Sequence, residues 1–138
     1  MESSTKIISV IQSLLALLRD KASKNELGGI TNVYDYVPEG RPMPFMVIGE
    51  VTSNDDGTKM GYGEQITIDI EIWSKNRGKY KDLLTAKSIQ DLFLNYTLTN
   101  LPDAEEFIVI SQNASQLVSR ELDYGVYLTI LQLKLRIQ

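Results

Sequence analysis

The chain has 138 residues, 43% hydrophobic and 23% charged, with a formal net charge of −4. That is one domain of ordinary composition, long enough to bury a core. It contains no cysteine and no histidine. Disulfide, Ser-His-Asp and Cys-His chemistry are therefore excluded, and zinc, copper or iron lose their usual ligands. An acidic chain does not grip nucleic acid through phosphates, so no sequence-specific DNA binding is expected. Acidic walls could still let DNA slide past without sticking. No segment is uninterrupted and apolar enough for a membrane span, and no signal peptide is read.

In chain order, Ser3, Ser4 or Thr5 can cap a helix running to about Asp20. Ile7, Ile8, Val10, Ile11, Leu14, Leu15, Leu17 and Leu18 fall on one half of its wheel, and Ser9, Gln12 and Ser13 on the other. It is expected as a core helix, with its rim at Val10 and Leu17 free to meet another subunit. A polar connection over 21–29 leads to a short strand over 31–36. Three prolines within 37–44 forbid helix and central strand alike. A strand over 45–53 follows, apolar on both faces in its early half, as an interior strand would be.

Residues 54–62 compose a polar loop. It is longer than a hairpin needs and offers Met60 and Tyr62 where water would be expected. A contact role is assigned to Asp55, Asp56, Lys59, Met60 and Tyr62. The stretch 63–73 then sets Ile66, Ile68, Ile70 and Ile72 at every second position. This period makes a β-strand with one isoleucine face toward a core. Asp69, Glu71 and Trp73 alternate with them on a face that is open unless a partner covers it. Asp69 and Glu71 could hold a hard cation or act as acid and base, but nothing converges on them in sequence, and solvated strand charges are the favoured reading. No catalytic group, cofactor or metal ligand is assigned.

After a basic turn, residues 80–95 make a second helix. Leu83, Ala86, Ile89, Leu92 and Phe93 form its apolar face, while Leu84 and Leu94 point elsewhere as stray leucines or interface residues. A link over 97–101 and a turn over 102–106 precede a strand from Phe107 that continues irregularly through Val118. Residues 119–123 read as a polar turn. In the last strand, over 124–137, the apolar positions switch from Tyr124, Val126, Leu128 and Ile130 to Leu131, Leu133, Leu135 and Ile137. The switch suggests a bulge or a tail that pairs with a neighbouring chain, making Leu133 and Leu135 interface candidates. The order α-β-β-β-α-β-β makes an α+β, two-layer domain: an antiparallel sheet with two helices on one face.

The run 34–50, with Val37-Pro38-Glu39-Gly40, Pro44-Phe45 and Val47-Ile48-Gly49-Glu50, resembles the tail completion, or tail-to-head joining, proteins of long-tailed bacteriophages and prophages. The strand 63–74 ending in Trp-Ser, the Arg77-Gly78 turn, the helix over 80–93, and Arg120, Asp123 and Gly125 before the final strand extend the likeness. Relatives often carry a histidine shortly before that strand, and this chain has none. The resemblance implies a single tail-completion domain over 1–138. It implies a structural virion protein, not an enzyme, that caps the head-proximal end of the tail tube and docks it to the head connector. Its implied partners are the tail tube protein, head connector proteins and copies of itself in a ring, hexameric when assembled, with DNA passing the lumen. It would reside in the host cytoplasm before assembly. A head-side connector component and a carboxylate-dependent enzyme are the alternatives.

Overall fold

The computed structural model describes residues 5–40, 42–55, 57, 61, 63–75 and 79–138, the side chains of Ser115 and Gln116 apart. Its elements are α1 (Ile7–Ser23), β1 (Val33–Tyr34), β2 (Phe45–Asp55), β3 (Glu64–Lys75), α2 (Tyr80–Asn95), β4 (Val109–Asp123) and β5 (Val126–Ile137). The expected order holds, and the five strands form one sheet in the order β1-β2-β3-β5-β4. All pairs are antiparallel except β1 with β2.

β3 is the sheet's centre. Ile66, Ile68, Ile70 and Ile72 are all fully buried. They join Met46 and Ile48 of β2, Leu131, Leu133 and Leu135 of β5, Val10, Leu14 and Leu18 of α1, and Ala86, Ile89 and Phe93 of α2 in one core cluster. Both helices therefore cover the same face of the sheet.

Buried carboxylates tie each end of β3 to a helix start. Glu64, at the start of β3, accepts a hydrogen bond from the Lys6 backbone N–H at 2.9 Å and from the hydroxyls of Thr5 and Ser53. At the other end, Ser74 donates to Asp82 in the first turn of α2, and both are buried. A carboxylate at a helix N-terminus satisfies free N–H groups and suits the helix dipole. The cap of α1 lies at Lys6, with Thr5 Oγ1 accepting from Ile7 N at 3.1 Å. Ser3 and Ser4 lie outside the described residues.

Several expectations are corrected. Val10 is core rather than rim. The buried side of α1 is rotated toward Ser9 and Ser13, which are buried, while Ile8 is exposed. Small side chains let a helix approach a sheet closely, so the seam does not follow hydrophobicity alone. The last strand contains no bulge against β3: the register runs unbroken from Val126–Lys75 to Ile137–Glu64. Leu133 and Leu135 are 0% and 1% exposed, so they are core and not an interface tail. The parity switch arises because each face of β5 is covered along a different part of its length. Tyr124 is no strand residue but the tip of the β4–β5 hairpin. Residues 119–123, read as a turn, are strand, whereas the link expected over 97–101 is a link.

The irregularity expected near the start of β4 is real. Register shifts fall at Val109/Ser111 and Asn113/Gln116, and a third at Glu121/Asp123. Two glutamines clamp this stretch to α2. Gln112 Nε2 donates to the Phe93 and Tyr96 carbonyls at 2.7 Å each, and its Oε1 accepts from Leu98 N at 3.1 Å. Gln90 Nε2 reaches the Ala114 carbonyl at 2.7 Å. One side chain thus satisfies two carbonyls at the helix C-terminus that have no intrahelical partner.

Candidate assembly surfaces

Three surfaces carry the residues singled out from the sequence. The first is the β2–β3 loop. Asp55 ends β2 opposite Glu64, and its Oδ1 accepts from Gly57 N at 2.9 Å. Asp56, Lys59, Met60 and Tyr62 lie outside the described residues.

The second is the sheet face away from the helices. Register places Phe45, Trp73 and Leu128 in one row, then Val47, Glu71 and Ile130, then Asp69 and Gln132. The apolar end of this face is not open as expected. Phe45, Val47 and Leu128 are buried there. Phe45 stacks on Trp73 with ring centroids 6.1 Å apart, and Tyr34 meets Phe45 edge-on at 5.9 Å and Tyr36 at 5.7 Å. Edge and offset contacts of this kind are favoured by the ring quadrupoles.

The carboxylates on this face have partners of their own. Glu71 Oε1 accepts from Trp73 Nε1 at 2.9 Å, and its other oxygen lies over Gly49, where an added Cβ would come within 2.1 Å. Gly49 is thus the absence of a side chain that makes room for this carboxylate. Asp69 Oδ1 accepts from Gln132 Nε2 at 3.2 Å. The two acids that sequence alternation pairs are engaged separately. Among the described residues, no group of three histidine, cysteine, aspartate or glutamate side chains could hold a metal ion, and no helix is long and apolar enough to cross a membrane.

The third surface is the outer side of α2, where Leu84 and Leu94 are exposed as expected. A groove of 640 Å³ runs between α2 and β4, lined by Phe93, Leu94, Gln90, Gln112 and Ala114 among others. Sequence reasoning passed over Gln112 and Glu64, while the burial of Phe45 and Val47 agrees with a strand expected to be apolar on both faces in its early half. Glu64 at the start of β3 and Gln112 inside β4 are polar residues with no local spacing pattern to mark them. Each depends on partners far away in the chain.

The model of the family "Tail completion protein gp17" matches residues 12–137. The chain belongs to this family. No curated protein matches. Among solved structures, a chain of the virion of a native gene transfer agent particle superposes with a TM-score of 0.65 at 19% identity, covering 94% of this chain and 92% of its own. The gp17 protein of bacteriophage SPP1 superposes with a TM-score of 0.54 at 16% identity, covering 99% of this chain and 97% of its own. At these identities the likeness is one of fold. This tail completion protein shares their fold, and its family gives it the role of a structural tail-completion component.

Proposed function

We propose that the protein caps the head-proximal end of the phage tail tube and joins the tail to the head connector, working as a ring of copies, six in the assembled particle. The observation that carries this reading is the family match over 12–137. The loop over 54–62 is the proposed docking element, through Asp55, Asp56, Lys59, Met60 and Tyr62. Asp69, Glu71 and Trp73 form a second contact face. DNA passes through the lumen, and an acidic chain suits passage without retention.

The sheet's two edges support self-association in a head-to-tail sense. β1 borders β2 only at Met46 and Val47. Beyond that point the outer side of β2 meets no strand among the described residues, nor does the outer side of β4. β2 is antiparallel to β3, β3 to β5, and β5 to β4, so the two edge strands run in opposite directions. A copy placed beside another without being turned over would set β4 against β2 as an antiparallel pair. Heterologous contacts of that kind close into rings when the rotation permits.

Electron microscopy of lysates from a phage with a disrupted copy of the gene tests the reading. Separate DNA-filled heads and unattached tails are expected, and intact joined particles would overturn it. Finding the protein on filled, tail-less heads of the intact phage would move it to the head side. Replacing 56–63 with a two-residue Asn-Gly turn between the paired Asp55 and Glu64 should leave the fold intact while weakening joining. Normal joining by that variant would remove the loop from the contact.

A further inference from the structure

The outer side of α2 carries a pattern that the fold does not use. Asp82, Thr85, Ala86, Ile89 and Phe93 face the sheet. Tyr80, Leu84, Lys87, Asp91 and Leu94 follow one another at steps of four, three, four and three. Such steps place side chains in one row along a helix, here diametrically opposite Ile89. Leu84 is 48% exposed and Leu94 81%. Between them, Lys87 Nζ meets Asp91 Oδ2 at 3.1 Å.

A single exposed leucine, or a single surface ion pair, means little. The symmetry of this row is another matter. About a point level with position 89 it reads leucine, charge, charge, leucine in either direction, and the two charges are opposite. A two-fold axis through that point sets Leu84 against Leu94 of a second copy and Lys87 against its Asp91, each twice over. A parallel pairing in register would instead oppose lysine to lysine and aspartate to aspartate. Interdigitated leucines with complementary flanking charges are how helices select antiparallel or parallel partners.

We propose that α2 is the contact surface of a symmetric antiparallel dimer, in which the Leu84–Lys87–Asp91–Leu94 row of one copy packs on the same row of another. The helix has 16 residues, about 24 Å of length. The contact is accordingly at the small end of specific interfaces, and its dimer forms as protein concentration rises. It stands apart from the ring reading: an isologous contact closes on itself and does not propagate around a ring. It is a state of the free protein, or a bridge between two rings.

The chain's lack of cysteine makes crosslinking clean. In the double variant L84C/L94C the two thiols lie ten residues apart on one helix, about 15 Å, too far to join within a chain. Under mild oxidation this variant should form a covalent dimer whose linked peptides join position 84 to position 94. Each single-cysteine variant should remain largely monomeric. Sedimentation of the unmodified protein should approach twice the chain mass at high concentration. Lys87→Glu should abolish that association, and Lys87→Glu with Asp91→Lys should restore it. Circular dichroism keeps loss of fold separate from loss of contact, since both residues are exposed. Crosslinking by the single variants would overturn the antiparallel geometry. Failure of the double variant to crosslink, with sedimentation of a monomer at all concentrations, would overturn the dimer.

Discussion

The two faces of the central sheet are built on different terms. On the helix side, β3 contributes four isoleucines that are fully buried, and their neighbours on β2 and β5 are apolar too. On the far side the same strand contributes Thr67, Asp69, Glu71 and Trp73, all partly exposed and the last three engaged in specific hydrogen bonds. The first face gains from area removed from water, which is indifferent to partner identity. The second depends on particular geometry: a carboxylate over a glycine, an indole N–H on that carboxylate, an aromatic row at one end. A face of that second kind can hold its shape without being sealed, which is what a surface meant to meet other proteins requires.

The largest effects should come from the sealed face. Ile70→Ala removes buried volume where helices, β2 and β5 converge, and should cost about 2–5 kcal/mol. Leu133→Ala should fall in the same range, because the residue is core. Urea unfolding checks both, and a Leu133→Ala variant as stable as the parent would return that position to the surface. Next comes Gln112→Ala. It strips one acceptor and two donors from the end of α2 and the start of the following link, at roughly 2–3 kcal/mol. Faster hydrogen exchange over 93–98, with the rest of the sheet unchanged, is the accompanying sign.

How much of this was legible follows from the same contrast. The isoleucine period of β3, the order of elements and the exposed leucines of α2 are readable because each is a local spacing rule. The interior of β5 is not legible from parity, which reports the buried face only if one face is covered throughout, and here Leu128 is covered on one side while Leu131 to Ile137 are covered on the other. Residues 119–123 resemble a turn in sequence because an edge strand with few inward apolar residues lacks the alternation that marks a strand. Asn54 and Asp55, read as the start of the loop over 54–62, end β2 instead, and most of the residues proposed for docking lie outside the described residues. Glu64 and Gln112 were invisible, since their partners lie many residues away and their bonds are geometric facts, not patterns.

The partly open face is sharpened by Gly49→Ala. The backbone there needs no unusual dihedral; the obstacle is Glu71, whose carboxylate occupies the space a methyl would take. The added methyl should displace that carboxylate from Trp73 Nε1 and cost about 1–2 kcal/mol. If the cost is steric and local, then Glu71→Ala in the same chain should return most of it. A double-mutant cycle would then give a coupling on the order of 1 kcal/mol. Additive effects would mean that Gly49 is required for the bend between Ile48 and Val51, where the β2–β3 register shifts, rather than for the carboxylate.

Asp69→Asn should have the smallest effect. The amide keeps an oxygen that can accept from Gln132 Nε2, and the position is only partly buried, so the change in stability should stay within about 0.5 kcal/mol. Phage bearing this substitution should still join heads to tails if Asp69 acts through shape and hydrogen bonding. Loss of joining in a protein of unchanged stability would mean that the negative charge itself meets a cationic group on a partner. That result would separate Asp69 from Glu71, whose carboxylate is already engaged by the indole beside it, and would make the polar end of the far face the docking end.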